Sequence, residues 1–241
     1  MRRLSAALLA LVCLGVLSLP TAAAGATYTL PELSLQVTLP DGYYAFTREI
    51  DPSDPHLDRF GDERAKDTLE AYYEDSGIYL DMYAEDGSCE IFVSMAQDRD
   101  TRRNFDFNRY TDEVVLGFGQ EIQNGAFDGI TYTSCELFPH AQAKFLQLDF
   151  ELRDGDTVQY GQQVFTIING QEIGFSLYSS SGPVTEEMAL ALRQIVETAR
   201  FTEVLAEPPA SAVPWIVAAA VAVAAAAVLL VLLLRRRRRS R

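Results

Sequence analysis

The sequence predicts an α+β fold, an antiparallel β-sheet covered by amphipathic helices, with one C-terminal transmembrane helix added. Three observations carry this. Runs of alternating apolar residues are separated by short turns rich in Asn, Asp and Gly, as at Asn169-Gly170. Apolar residues recur at three- and four-residue spacing over 185–199, which is the stripe of an amphipathic helix. Finally, twenty uninterrupted apolar residues run from Trp215 to Leu234 and lead directly into Arg235, Arg236, Arg237, Arg238 and Arg239.

Residues 1–24 read as a signal peptide. Arg2 and Arg3 precede an apolar stretch over 4–19, and the small residues Ala22, Ala23, Ala24, Gly25 and Ala26 follow as cleavage-site material. Cys13 would leave with the leader. An extracytoplasmic domain is expected over 27–205, long enough for one hydrophobic core.

Inside it, an opening strand over 33–38 is followed by Pro40, Asp41 and Gly42 and by apolar residues at 43–46. Residues 63–74 form a polar helix whose inner positions are Ala65, Leu69, Tyr72 and Tyr73. A hairpin over 78–84 and 89–95, turning at Glu85-Asp86-Gly87-Ser88, pairs position 84 with 89 and aligns Leu80 and Met82 with Ile91 and Val93. Strand alternation sends Tyr79 and Tyr83 to the opposite face, under a helix. Thr111 caps a helix that buries Val115, Phe118 and Ile122, and a strand over 130–138 follows.

Residues 144–152 alternate with Leu146, Leu148, Phe150 and Leu152 inward. A three-residue loop at 154–156 then sets Leu152 opposite Val158 and Phe150 opposite Tyr160. Asn169-Gly170 is a two-residue turn that pairs 168 with 171 and puts Val164, Thr166, Ile168, Ile173, Phe175 and Leu177 on one face. Thr185 caps the last helix, with Glu186 and Glu187 in its first turn and Met188, Leu192, Ile195, Val196 and Ala199 as its stripe.

Residues 206–214 are a Pro/Ala linker. Residues 215–234 would span about 30 Å as a helix, the thickness of a bilayer's hydrocarbon core. The Arg-rich tail, 235–241, is placed in the cytoplasm by the positive-inside preference, so the domain lies outside. No Leu-Pro-x-Thr-Gly precedes Trp215, which favours a retained helix over wall attachment. The chain contains no Asn-x-Ser/Thr acceptor site, so a bacterial envelope is the expected setting for this single-pass cell-membrane protein.

Charge narrows the partners. All 34 acidic residues lie between the leader and the apolar run, with 12 of the 20 basic ones, so the exported part carries a net −22. Such a surface as a whole repels phosphate backbones and anionic lipid headgroups, and no nucleic-acid binding is expected. Cys89 and Cys135, an even pair in an oxidising compartment, are expected to form a disulfide.

The entry Leu33-Ser34-Leu35-Gln36-Val37-Thr38-Leu39-Pro40-Asp41-Gly42-Tyr43 resembles that of the PsbP-like families. So does the close, from Gln163-Val164-Phe165-Thr166-Ile167-Ile168-Asn169-Gly170-Gln171-Glu172-Ile173 to the final helix and Ala199-Arg200-Phe201. The group includes the photosystem extrinsic subunit PsbP and related bacterial exported domains of unknown function. The resemblance implies an antiparallel sheet with helices on both faces and a binding or accessory role, usually without catalysis. It transfers no site residue, and a single-pass anchor departs from its familiar members.

Catalytic signals are weak. His56 and His140 lie in different loops, and the oxygen-rich stretch 51–63 lacks the spacing of a calcium loop. No Gly-rich phosphate loop, Ser-x-x-Lys pair or Gly-x-Ser-x-Gly elbow occurs, so no cofactor and no metal is expected. The chain is therefore read as a non-enzymatic binding or accessory module whose partner is another envelope or membrane protein. The alternative is an extracytoplasmic hydrolase using converged acidic residues. Arg99, Arg102, Arg103, Phe105, Phe107, Arg109 and Tyr110 fall in a segment read as a loop, which holds much of the domain's positive charge and is the expected contact site.

Overall fold

The computed structural model describes residues 25–206, apart from Asp128. Two sheets organise this segment. The larger has seven antiparallel strands in the order β3-β4-β5-β9-β8-β7-β6, and the smaller has three in the order β1-β2-β10. The large sheet is built from β3 (Tyr43–Thr47), β4 (Ile78–Ala84), β5 (Cys89–Ala96), β6 (Ile130–Phe138), β7 (Phe145–Asp154), β8 (Thr157–Ile168) and β9 (Gln171–Ser179). The small sheet contains β1 (Thr27–Leu30), β2 (Leu35–Thr38) and β10 (Arg200–Phe201). Four α-helices join them: α1 (Ala65–Ser76), α2 (Arg99–Asn104), α3 (Asp112–Asn124) and α4 (Glu186–Thr198).

Both faces of the large sheet are buried. On one, α4 and the small sheet cover Leu80, Ile91, Val164, Phe175 and Leu177. On the other, α1 and α3 cover Ile78, Phe92, Leu146, Leu148, Phe150 and Phe165. This is an α+β fold with helices on each side of an antiparallel sheet.

The β8–β9 hairpin forms in the expected register, with Ile168 opposite Gln171. Asn169 (φ 55°) and Gly170 (φ 74°) both take the left-handed conformation that a two-residue turn demands. The β4–β5 pair also has the expected register, with Met82 opposite Ile91 and Tyr83 opposite Glu90. A bulge between Ile78 and Leu80 corrects one face assignment: it turns Tyr79 to the α4 side, where the Arg48 guanidinium lies 3.6 Å over its ring, while Tyr83 stays on the α1 side.

The β7–β8 register differs from expectation. Phe150 faces Gly161 and Leu152 faces Gln159 around a two-residue Gly155-Asp156 loop, instead of a three-residue one. With both sheet faces buried, apolar matching across the pair does not select the register. Space does: a Cβ on Gly161 would lie 2.2 Å from Phe150 Cζ and 2.6 Å from the Leu177 carbonyl oxygen.

The expected disulfide does not form within the chain, because both cysteines are free. Cys89 begins β5 and belongs to the core on the α4 side, whereas Cys135 on edge strand β6 packs with the other core. Strands β9, β8 and β7 lie between them. At ~4.8 Å per strand that separates them by about 19 Å, far beyond the roughly 7 Å between Cα atoms that a disulfide tolerates.

Among the described residues no helix is long and apolar enough to cross a membrane. The leader over 1–24, nearly all of the linker, the apolar run over 215–234 and the Arg tail lie outside the described residues.

Candidate functional site

The expected contact segment is no open loop. Asp98 caps α2 with a reciprocal capping box, its carboxylate accepting from the Asp100 and Thr101 amides while its own amide donates to the Thr101 hydroxyl at 2.8 Å. Phe105 then turns the chain with φ 60°, a conformation costly for a residue with a Cβ. Its carbonyl accepts from Gly170 N at 2.8 Å, and Gln97 Nε2 donates to the Gly170 carbonyl at 3.3 Å. The segment is thus fastened to the β8–β9 turn.

Its side chains divide into two groups. Phe107 is completely buried between Phe118 and Phe165, and Tyr110 packs edge-on against Phe118. Both are packing residues, and Phe107 is removed from any contact surface. Phe105 is half-buried beside Gly170. Arg99, Arg102, Arg103 and Arg109 are exposed. Arg102 Nε donates to the Asp98 carbonyl at 3.0 Å, and Arg109 donates to the Asn104 carbonyl. Among the described residues no carboxylate pairs with Arg99, Arg102 or Arg103.

A groove of about 960 Å³ lies elsewhere, where the β2–β3 turn, the β4–β5 turn and α4 meet. Leu39, Tyr43, Met188, Leu190 and Ala191 supply its apolar lining, and Asp41, Glu85, Asp86 and Glu187 supply carboxylates. Leu190 is 50% exposed, rare for a large apolar side chain in this domain. At the floor, the Tyr43 hydroxyl sits 3.1 Å from Cys89 Sγ, and burial pushes both groups' pKa values up. Both therefore stay protonated at neutral pH, and neither is an activated nucleophile. Sequence reading missed this groove, although Leu190 falling outside the α4 stripe was a signal for it.

Both histidines are held by contacts within the domain. His140 Nε2 donates to the Ala199 carbonyl at 3.1 Å, and Nδ1 accepts from the Gln142 and Ala143 amides. His56 stacks on Tyr44 at 4.2 Å between centroids, with Asp54 2.9 Å from Nδ1 and Glu85 3.6 Å from Nε2. Asp54 is also the cap of its short helix, and Glu85 is paired with Arg59. The carboxylates of Asp51, Asp54 and Asp62 each accept from a nearby backbone amide. Among the described residues no group of three His, Cys, Asp or Glu converges to hold a metal.

No known family profile matches the sequence, and no curated protein matches it. In fold the chain is similar to the solution structure of cyanobacterial PsbP (CyanoP) from Synechocystis sp. PCC 6803, at 11% identity and a TM-score of 0.42, over 76% of this chain and 95% of that one. A crystal structure from Bacteroides thetaiotaomicron VPI-5482 gives the same identity and TM-score over 76% of this chain, which spans half of that protein's length. LpqN of Mycobacterium tuberculosis, involved in cell envelope biogenesis, aligns at 12% identity and a TM-score of 0.37, over 73% of this chain and 83% of its own. These likenesses concern the fold alone, which rests on the strand order and registers above, and no residue role is taken from them.

Proposed function

We propose that the chain is a non-enzymatic binding or accessory module, held outside a bacterial cell membrane by residues 215–234, with its Arg tail in the cytoplasm. Its partner is another envelope or membrane protein. The observation that carries this reading is the groove along α4: an apolar strip with an acidic rim, in a domain whose His140 and Cys89 are held by internal hydrogen bonds. A groove of that lining suits a basic, partly apolar segment of a partner. The apolar run followed by five Arg supports the anchor, and the acidic exported part is consistent with an aqueous extracytoplasmic setting.

Two measurements test it. Protease added to intact cells should degrade 27–205, and survival of that segment removes the topology. Pull-down from detergent-solubilised membranes should lose its partner when Leu190→Lys and Ala191→Arg block the groove, and capture unchanged by both substitutions removes the groove assignment.

One observation favours the hydrolase alternative, the placement of His56 between two carboxylates, Asp54 and Glu85. Under that reading the exported domain hydrolyses ester or amide substrates and His56→Ala abolishes the activity. Activity that survives His56→Ala removes it.

A further inference from the structure

We propose that the exposed arginines of α2 form the membrane-facing surface of the domain and meet anionic phospholipid headgroups. The inference rests on the anchored reading given above and adds which face is turned to the lipid.

The described chain leaves the domain at one defined place. Asn169 Nδ2 donates to the Glu203 carbonyl at 2.9 Å, and Leu205 N donates to Asn169 Oδ1 at 2.8 Å, so the exit is clamped to the β8–β9 turn. The next residue of that turn, Gly170, lies against Arg102 and holds the Phe105 carbonyl. Arg102 therefore lies beside the turn that clamps the exit, with Arg99 and Arg103 on the same short helix. Val204 and Leu205, 47% and 48% exposed, add an apolar edge there.

Nine residues, 206–214, separate this exit from the apolar run. Fully extended they reach about 30 Å, so this pole cannot move far from the bilayer. The opposite pole, at the β4–β5 turn beside the groove, is roughly 27 Å away along β9. Of the nearby acidic groups Glu172 and Asp106 are buried, while Asp98, at the α2 cap, Asp100 and Glu203 stand beside the arginines. In a domain carrying net −22, three exposed arginines on one short helix give this end positive charges that can meet an anionic surface.

The test uses the full chain reconstituted in vesicles of phosphatidylcholine, with or without 30% phosphatidylglycerol, read by amide hydrogen exchange over 99–109. Exchange should slow several-fold only with phosphatidylglycerol. It should return to the phosphatidylcholine rate in Arg102→Glu/Arg103→Glu and at high salt, and stay slow in Arg102→Lys/Arg103→Lys. Equal exchange in both vesicles overturns the proposal, as does protection that appears only in native membranes containing other proteins. Loss of the chain from vesicles on an alkaline wash marks a different failure, that of the anchor itself.

Discussion

Asn169 and Leu205 are joined by a 2.8 Å hydrogen bond that ties the domain's C-terminal exit to a hairpin tip. The same side chain also holds Glu203, while its backbone sits at φ 55°. Conformation and clamp can be separated. Asn169→Gly keeps the turn and frees the tail, so the unfolding free energy from urea titration should fall by less than about 1 kcal/mol while the Leu205 amide exchanges many-fold faster. Asn169→Ala loses the clamp and adds left-handed strain of about 1–2 kcal/mol. Equal stabilities for the two variants would contradict the turn conformation.

Gly161 and Phe150 fix the β7–β8 register by contact. Gly161→Ala places a Cβ where Phe150 Cζ and the Leu177 carbonyl already are, and should destabilise the domain by about 1–3 kcal/mol in chemical unfolding. Phe150→Leu in the same chain should recover part of that loss. A neutral Gly161→Ala would favour the register one residue away, in which Phe150 faces Tyr160.

The contrast between these two hairpins shows what is legible in the sequence. Asn169-Gly170 dictates its own φ values, so the β8–β9 register follows from local chemistry and was readable. The Gly155-Asp156 turn imposes less, and its register depends on a ring filling the space above a glycine on the neighbouring strand. The same limit applies to 99–110. Its charges were visible, but Phe107 as a core residue depends on where α3 and β8 lie. The α4 groove is assembled from three distant stretches, and only the displaced Leu190 announced it.

Cys89 and Cys135, on opposite faces of the sheet, should remain two titratable thiols per leader-free chain in unreduced, denatured protein. Burial raises the thiol pKa of both, Cys135 to about 11, so alkylation of the folded protein at pH 7 should be slow and should accelerate on unfolding. A chain with no free thiol would overturn the strand order between β5 and β6.

Glu172 is the group that should make stability depend on pH. It lies on β9 between Ala96 and Ile167, 4% exposed, and burial, with the Asp98 carboxylate adding to it, pushes its pKa up to about 8. Between its ordinary value of 4.5 and about 8 the folded state holds a proton that the unfolded state has released. Stability must therefore fall as pH rises through that window, by at most ~1.4 kcal/mol per pH unit from this group, and level off above it. Glu172→Gln preserves shape and removes the proton exchange. It should flatten this part of the profile and leave the variant more stable than the parent at pH 8.5, while the two are close at pH 4. Thermal or urea unfolding across pH 4–9 decides it: a parent profile that rises between pH 5 and 8, with the variant parallel to it, would mean that Glu172 is ionised in the folded domain.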